Sequence, residues 1–449
     1  MPTPDTNHSA AQNPARQARG TWGRRAFLRR LSAAGAALAI AGPRTGALAA
    51  PAIGARGAND AVRVAVMGLG RGMAHVASLL RIPGVEVCHV CDVDARRMGP
   101  ARAEVEKQAG KAPASTQDFR RILDDRTVDA ITIATCNHWH APATILACTA
   151  GKHVYVEKPG SHNAAEGELM VAVARKHDRR VQMGNQRRTW PSIREAIEKV
   201  RGGAIGHVTY ARAWYPSERP SIGRGSDSPP PAELDYTLWQ GPAPERPYRS
   251  NLIHYNWHWR WHYGGGEMAN NGVHGLDLVR WGLNVGCPTQ VSFVGGRYAY
   301  DDDQETPDTG VATFQFGNCG ASWEQSSCHG RRGEDLPFVS FYGDGGTLAI
   351  TDPGYRIIDS KGKTVAENRG EGGDVGHFVN FIDAIRGKAA LNSEIQEGQA
   401  STLLCHLANI SYRTGRTIHV DPASRKIVGD SEAERLWSRE YRSGWAPSA

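Results

Sequence analysis

Val62-Arg63-Val64-Ala65-Val66-Met67 runs directly into Gly68-Leu69-Gly70-Arg71-Gly72, and the helix-like stretch Met73 to Leu80 follows. Strand, glycine turn and helix in that order form the context in which glycines count toward dinucleotide binding. They let the backbone approach a pyrophosphate, while the helix N-terminus supplies amide donors and a favourable dipole. The spacing departs from the usual fingerprint: Met73 holds the third-glycine position and Gly72 comes one residue early. Working outward, apolar runs at 85–91, 128–134 and 153–156 alternate with helix-like stretches at 96–108 and 141–150. Short apolar strands separated by helices of this length predict a doubly wound parallel sheet, a Rossmann domain over 61–183.

Beyond about residue 183 the pattern changes. Longer alternating strands at 208–215, 289–297, 311–316 and 320–326 predict an α+β domain over 184–449 with a largely antiparallel open sheet. Between Pro216 and Gly266 lies a stretch rich in Pro, Gly and aromatic residues, too long for an idle loop and aromatic enough to suggest a function.

The 449 residues carry a formal charge of +7, which raises the question of nucleic acid or a membrane surface. Residues 1–49 hold seven Arg and one Asp, and without them 46 basic residues face 45 acidic ones. The basicity therefore belongs to the leader, and nucleic acid is not an expected partner. Within that leader, Arg24-Arg25, the mildly apolar 31–42 and Ala47-Leu48-Ala49 resemble a twin-arginine export signal. The expected location is the periplasm or beyond, with 50–60 as a linker and no membrane anchor after processing, because a span needs about 20 strongly apolar residues. Eight scattered cysteines are expected to be free thiols, Cys88 and Cys91 among them, as core residues.

The chemistry concentrates at three places. The second strand ends in Cys91-Asp92, where an acid would accept hydrogen bonds from a ribose diol and repel a ribose phosphate, favouring NAD over NADP. Asn137 and His140 follow the strand ending at Ala134, either beside the cofactor or, for Asn137, as a helix cap. Then comes Val154-Tyr155-Val156-Glu157-Lys158-Pro159. With the glycine turn, this run resembles the Gfo/Idh/MocA family, whose motif here is Glu-Lys-Pro. The resemblance implies that Lys158 is the catalytic lysine, that Glu157 and Lys158 flank the cofactor with Gly68, Gly70, Gly72 and Asp92, that Asn137 and His140 lie near the nicotinamide, and that the chain is a homo-oligomer.

Gly264 through Asp277 supplies the second catalytic element. If it is helical, Asn270 and His274 share a face with Asp277 near His274. The family commonly has Asp where this chain has Asn270, so a proton relay is left to Lys158 and His274, with Asp277 orienting His274. Asn185 and Arg188 match sugar-contacting positions. His254, Trp257 and His258 in the aromatic run suit a carbohydrate, with indoles on pyranose faces and imidazoles on hydroxyls. The His254, His258, His262 spacing lacks acid or thiol ligands, and no metal is expected.

These readings predict an exported NAD(P)-dependent oxidoreductase of a sugar, sugar alcohol or glycoside. Export implies a tightly retained cofactor, since no free nicotinamide pool awaits it there. Two alternatives stay open: an NAD-dependent glycoside hydrolase or lyase working by transient oxidation, although the known glycosidase branch differs at Glu157-Lys158-Pro159, and a sugar-binding protein without turnover.

Overall fold

A computed structural model describes residues 61–448. The expected leader and linker lie outside the described residues. The first half alternates β1 (Val62–Met67), α1 (Gly72–Leu79), β2 (Val85–Cys91), α2 (Ala95–Ala109), β3 (Ala114–Thr116), α3 (Arg120–Leu123), β4 (Ala130–Ile133), α4 (Asn137–Thr149), β5 (His153–Val156), α5 (Ala164–Lys176) and β6 (Val181–Met183). All six strands are parallel in the order β3-β2-β1-β4-β5-β6. The order reverses between β1 and β4, so their C-terminal ends open a crevice of the kind that holds ligands in such sheets. Burial explains the continuous apolar strands: Val64, Ala65 and Val66 are each fully covered, with helices on both faces.

The second half holds α6 (Pro191–Arg201), β7 (Val208–Pro216), α7 (Tyr236–Gln240), α8 (Val273–Leu283), β8 (Gln290–Gly296), β9 (Thr309–Phe316), β10 (Cys319–Ser326), β11 (Val339–Gly343), β12 (Gly346–Ile350), β13 (Tyr355–Asp359), β14 (Thr364–Asn368), α9 (Val375–Ile385), α10 (Ile395–Thr414), β15 (Ile418–Asp421), β16 (Lys426–Ile427) and α11 (Ser431–Arg435). Its ten strands form one open sheet, β14-β13-β12-β11-β7-β10-β9-β8-β15-β16, antiparallel except where β10 runs beside β7. The fold class is therefore the one the sequence predicts, with four further strands over 339–368 that the alternation did not reveal. Helices α6, α8 and α10 pack on one face of the sheet through its other strands, and in β9 every second residue is buried while Val311, Thr313 and Gln315 are exposed. No helix among the described residues is long and apolar enough to cross a membrane.

The later segments also complete the nucleotide half. Phe378, Phe381 and Ile382 of α9 pack on Val66, Leu79 and Tyr155, with the Tyr155 and Phe378 rings stacked 4.3 Å apart. Pro142 lies inside α4 and has no N–H, which frees the carbonyl four residues back. Arg439 takes that carbonyl, donating from Nη2 to His138 O at 2.8 Å, and also pairs with the buried Glu166 of α5. The Pro216–Gly266 stretch has its own small core of Leu234, Trp239, Tyr248, Leu252, Trp257 and Tyr263. All eight cysteines are free, and Cys88 and Cys91 are buried in the core as expected.

Candidate active site

A cleft of about 640 Å³ opens over the C-terminal ends of β1, β2, β4 and β5 and is roofed by 254–258 and the start of α8. At one end Gly68 adopts φ +85°, and a Cβ there would sit 2.5 Å from the Ala134 carbonyl oxygen, so the turn closes only with glycine. Gly72 opens α1, where a Cβ would stand 3.1 Å from Val66 Cγ1; it serves the tight helix-to-strand packing expected of the third glycine. No side chain caps α1, although Met73 N and Ala74 N donate to the backbone carbonyls of Gly70 at 3.3 Å and Arg71 at 3.0 Å. Asp92 accepts from Leu69 N at 2.7 Å and Asp94 N at 2.9 Å, which fixes its carboxylate at the cleft edge, and burial pushes its pKa up. These features fit a dinucleotide: a close-approach turn, a helix start without a side-chain cap and an acid placed for a ribose. Arg97, which the sequence did not single out, lines the same end with its guanidinium beside Gly70.

At the other end stands Lys158. Its Nζ donates to Asn270 O at 2.7 Å and to Asn270 Oδ1 at 2.9 Å. Both contacts depend on the backbone at Met268–Gly272, which forms a π-helical turn rather than the start of a regular α-helix. Widened turns of this kind recur at functional sites. Burial lowers the Lys158 pKa; the Glu157 and Glu267 carboxylates oppose that, and Arg71 and Arg187 reinforce it. Beneath the lysine, buried Glu157 receives His75 Nε2 at 3.1 Å, Arg71 Nε at 3.1 Å and Lys158 N at 3.2 Å. Burial alone would raise Glu157, but His75, Arg71 and Lys158 outweigh it and hold this carboxyl below the usual range. Arg71 continues the network to Asp374 at 2.7 Å.

The His274 ring lines the cleft and makes no side-chain hydrogen bond within the described residues. Burial, with Arg187 and Lys158 nearby, holds it far below the ordinary histidine value, so the ring is neutral. Asp277 does not orient it. Its carboxylate accepts two bonds from Arg188 Nε at 3.0 and 2.8 Å, one from Arg188 Nη2 at 2.8 Å and one from Ser401 Oγ at 2.6 Å, all buried. Arg188 and Asp277 are thus spent on each other away from the cleft, because a guanidinium fork and a carboxylate satisfy one another when desolvated. Asn185 is buried and also outside the cleft lining; Gln186 is the residue of this segment that lines it.

His254 lies at the other end from its expected place: its Nε2 is 2.9 Å from Asp94 Oδ2, beside Asp92 rather than Lys158. His258 and Trp257 do line the cleft with stacked rings 3.5 Å apart, next to Tyr255. Only 256–259 forms a short 3₁₀ turn, so His254 and His262 diverge, and His262 Nε2 meets Pro244 O at 2.8 Å. Among the described residues no three His, Cys, Asp or Glu are grouped as for a metal ion. Asn137 does not cap: α4 begins at Asn137 itself, earlier than expected, with Cys136 in the cap position. His140 sits between two carbonyls, Nδ1 2.6 Å from Pro159 O and Nε2 3.0 Å from Thr135 O, tying the two cleft loops together.

The fold and cleft define an α/β oxidoreductase of the dinucleotide-binding kind. Residues 62–185 match a family model described as an oxidoreductase family with NAD-binding Rossmann fold, and residues 223–299 and 370–447 match its C-terminal alpha/beta domain. The chain belongs to the Gfo/Idh/MocA oxidoreductase family. It is 33% identical over 208 residues to a glycosyl hydrolase family 109 protein of Saccharopolyspora erythraea, a match covering 43% of this chain and 45% of that one. It is also 39% identical over 102 residues to a levoglucosan dehydrogenase of Pseudarthrobacter phenanthrenivorans, covering 22% and 26%. The chain thus spans less than half the length of these curated relatives. Among solved structures, it resembles the WlbA dehydrogenase of Bordetella pertussis, determined with NADH and UDP-GlcNAcA (TM-score 0.61, 19% identity, 80% of this chain and 99% of that one). It likewise resembles the aldose-aldose oxidoreductase of Caulobacter crescentus, determined with glycerol (TM-score 0.63, 18% identity, 80% and 100%). At such identities the likeness is one of fold.

Proposed function

We propose that this chain is an exported oxidoreductase that uses NAD in preference to NADP and acts on a sugar, sugar alcohol or glycoside. The carrying observation is the pair of hydrogen bonds that Lys158 Nζ donates to the two oxygens of Asn270. A neutral amine that spends two N–H groups on those oxygens turns its lone pair to the cleft, where it accepts a carbinol proton. Once protonated, its third N–H returns the proton in the reverse direction. Bound nicotinamide would supply the hydride acceptor. Neutral His274 donates or accepts a hydrogen bond at the same carbinol oxygen, and Asn270, which carries no proton, fixes the lysine. Tyr255, Trp257 and His258 offer ring faces and an imidazole to a pyranose. Asp92 supports NAD, since its carboxylate suits a ribose diol. The glycosyl hydrolase family 109 relatives and the sugar dehydrogenase supply the carbohydrate class.

Those same relatives favour one second reading. In a redox-neutral hydrolase, oxidation of a ring hydroxyl acidifies the neighbouring C–H, elimination expels the aglycone, water adds, and the hydride returns. The test is the redox state of nucleotide retained by the purified, processed protein during incubation with sugars and aryl glycosides. Reduced nucleotide that persists supports the dehydrogenase; a glycoside cleaved while the nucleotide ends oxidised supports the hydrolase; no nucleotide bound or retained defeats both.

A further inference from the structure

A second cavity of about 500 Å³ shares only Asn137 with the cleft. Four distant segments build it: 159–163 after the catalytic lysine, 244–265 of the aromatic stretch, 406–413 of α10, and 435–440. Its rim carries the exposed Arg246, Arg413 and Arg435, none of which pairs with a carboxylate among the described residues. Arg413 lies over the Trp261 ring at 5.4 Å and feels the Glu305 carboxylate only at longer range, without an ion pair. The only carboxylate in the lining is the exposed Glu440. Deeper in, Arg439 spends Nε and Nη2 on Glu166 and His138 O, while its Nη1 is buried with no partner.

The floor is polar and built. Ser161 Oγ donates to Gln399 Oε1 at 3.0 Å and lies 3.0 Å from His406 Nε2. His162 Nδ1 is buried without a partner. Asn409 is 8% exposed, and its Nδ2 donates to Gly265 O at 2.9 Å, which fixes the amide and leaves Oδ1 buried and unpartnered. Unmet buried polar groups are costly, and each asks for a complementary atom. Arginine excess asks for an oxyanion, and the Asn409 oxygen asks for a donor such as a hydroxyl.

We infer that this cavity is a binding site for a hydroxylated small-molecule anion of the sugar-acid or sugar-phosphate class, separate from the cofactor cleft. The anionic group meets the rim arginines and Arg439, and a hydroxyl meets Asn409 Oδ1. The inference does not depend on the chemistry assigned to Lys158.

Calorimetric titration of the NAD-saturated protein tests it, with D-glucuronate and D-glucose 6-phosphate as probes and D-glucose and inorganic phosphate as controls. At least one acid is expected to bind at 1:1 stoichiometry, ten-fold or more tighter than either control, and whichever binds better names the anionic group. The double variant Arg413→Gln/Arg435→Gln, changed only at exposed positions, should weaken that binding at least ten-fold and leave NAD affinity unchanged. Asn409→Ala should weaken the sugar acid but not inorganic phosphate. No saturable binding, glucose binding as tightly as the acids, or full affinity in the double variant would overturn the inference. A protein that binds glucuronate but no nucleotide would break the oxidoreductase reading and leave this site standing.

Discussion

Lys158 is where charge and position meet. Lys158→Met should lower kcat about 10²- to 10⁴-fold, the usual worth of a positioned acid–base group, while nucleotide binding persists. With burial depressing the lysine, oxidation should rise with pH to a limb below the ordinary 10.5. Asn270→Asp would set a carboxylate against the ammonium and favour it, so that limb should move to higher pH; an unmoved profile would remove Lys158 as the base. Glu157 makes a different prediction. Its folded pKa is depressed, so its stabilising contribution is complete above the unfolded value of about 4.3 and is lost as pH falls through the folded one. Glu157→Gln, which strands His75 and Arg71, should lower Tm at neutral pH and flatten the acid limb of a Tm-against-pH curve.

At the level of elements, α8 is anchored by the Arg188–Asp277 pair, 89 residues apart in sequence. Removing one partner of such a buried pair costs about 3–5 kcal/mol. Arg188→Ala should therefore lower Tm sharply with KM per folded molecule little changed; a raised KM at unchanged Tm would return Arg188 to the substrate. The sequence made β1, α1, β2 and β5 legible because their apolar runs and the glycine turn are local signals, and Lys158 came with them. The hairpins β11 to β14 were not legible: they are five residues each, and β14 is mostly exposed, so it carries no alternation to read. The partner of Asp277 was hidden for another reason. Helical spacing put His274 three residues away, but a bidentate arginine arriving from 186–189 outcompeted it, a tertiary pairing that no local pattern encodes. The π turn at Met268–Gly272 likewise kept Asn270 near Lys158 by a backbone geometry other than the helix expected.

At the scale of the whole molecule, the open sheet leaves Val294 and its neighbour Val311 exposed on one face. We expect this face to pair with a second copy: sedimentation equilibrium should show a dimer or tetramer that Val311→Glu dissociates. Contacts from 426 to 445 bind back onto the nucleotide half through Lys426–Glu168, Arg439–Glu166 and Trp445 against Trp139. A chain ending before Ser431 should consequently lose nucleotide binding, read by equilibrium dialysis. The freed carbonyl in α4 carries a consequence in time. His138 is synthesised 301 residues before the Arg439 that satisfies it. At ~5–20 residues per second, the nucleotide half waits on the ribosome for about 15–60 s with the His138 carbonyl and Glu166 lacking Arg439, an interval in which a nascent-chain chaperone would have a defined surface to shield.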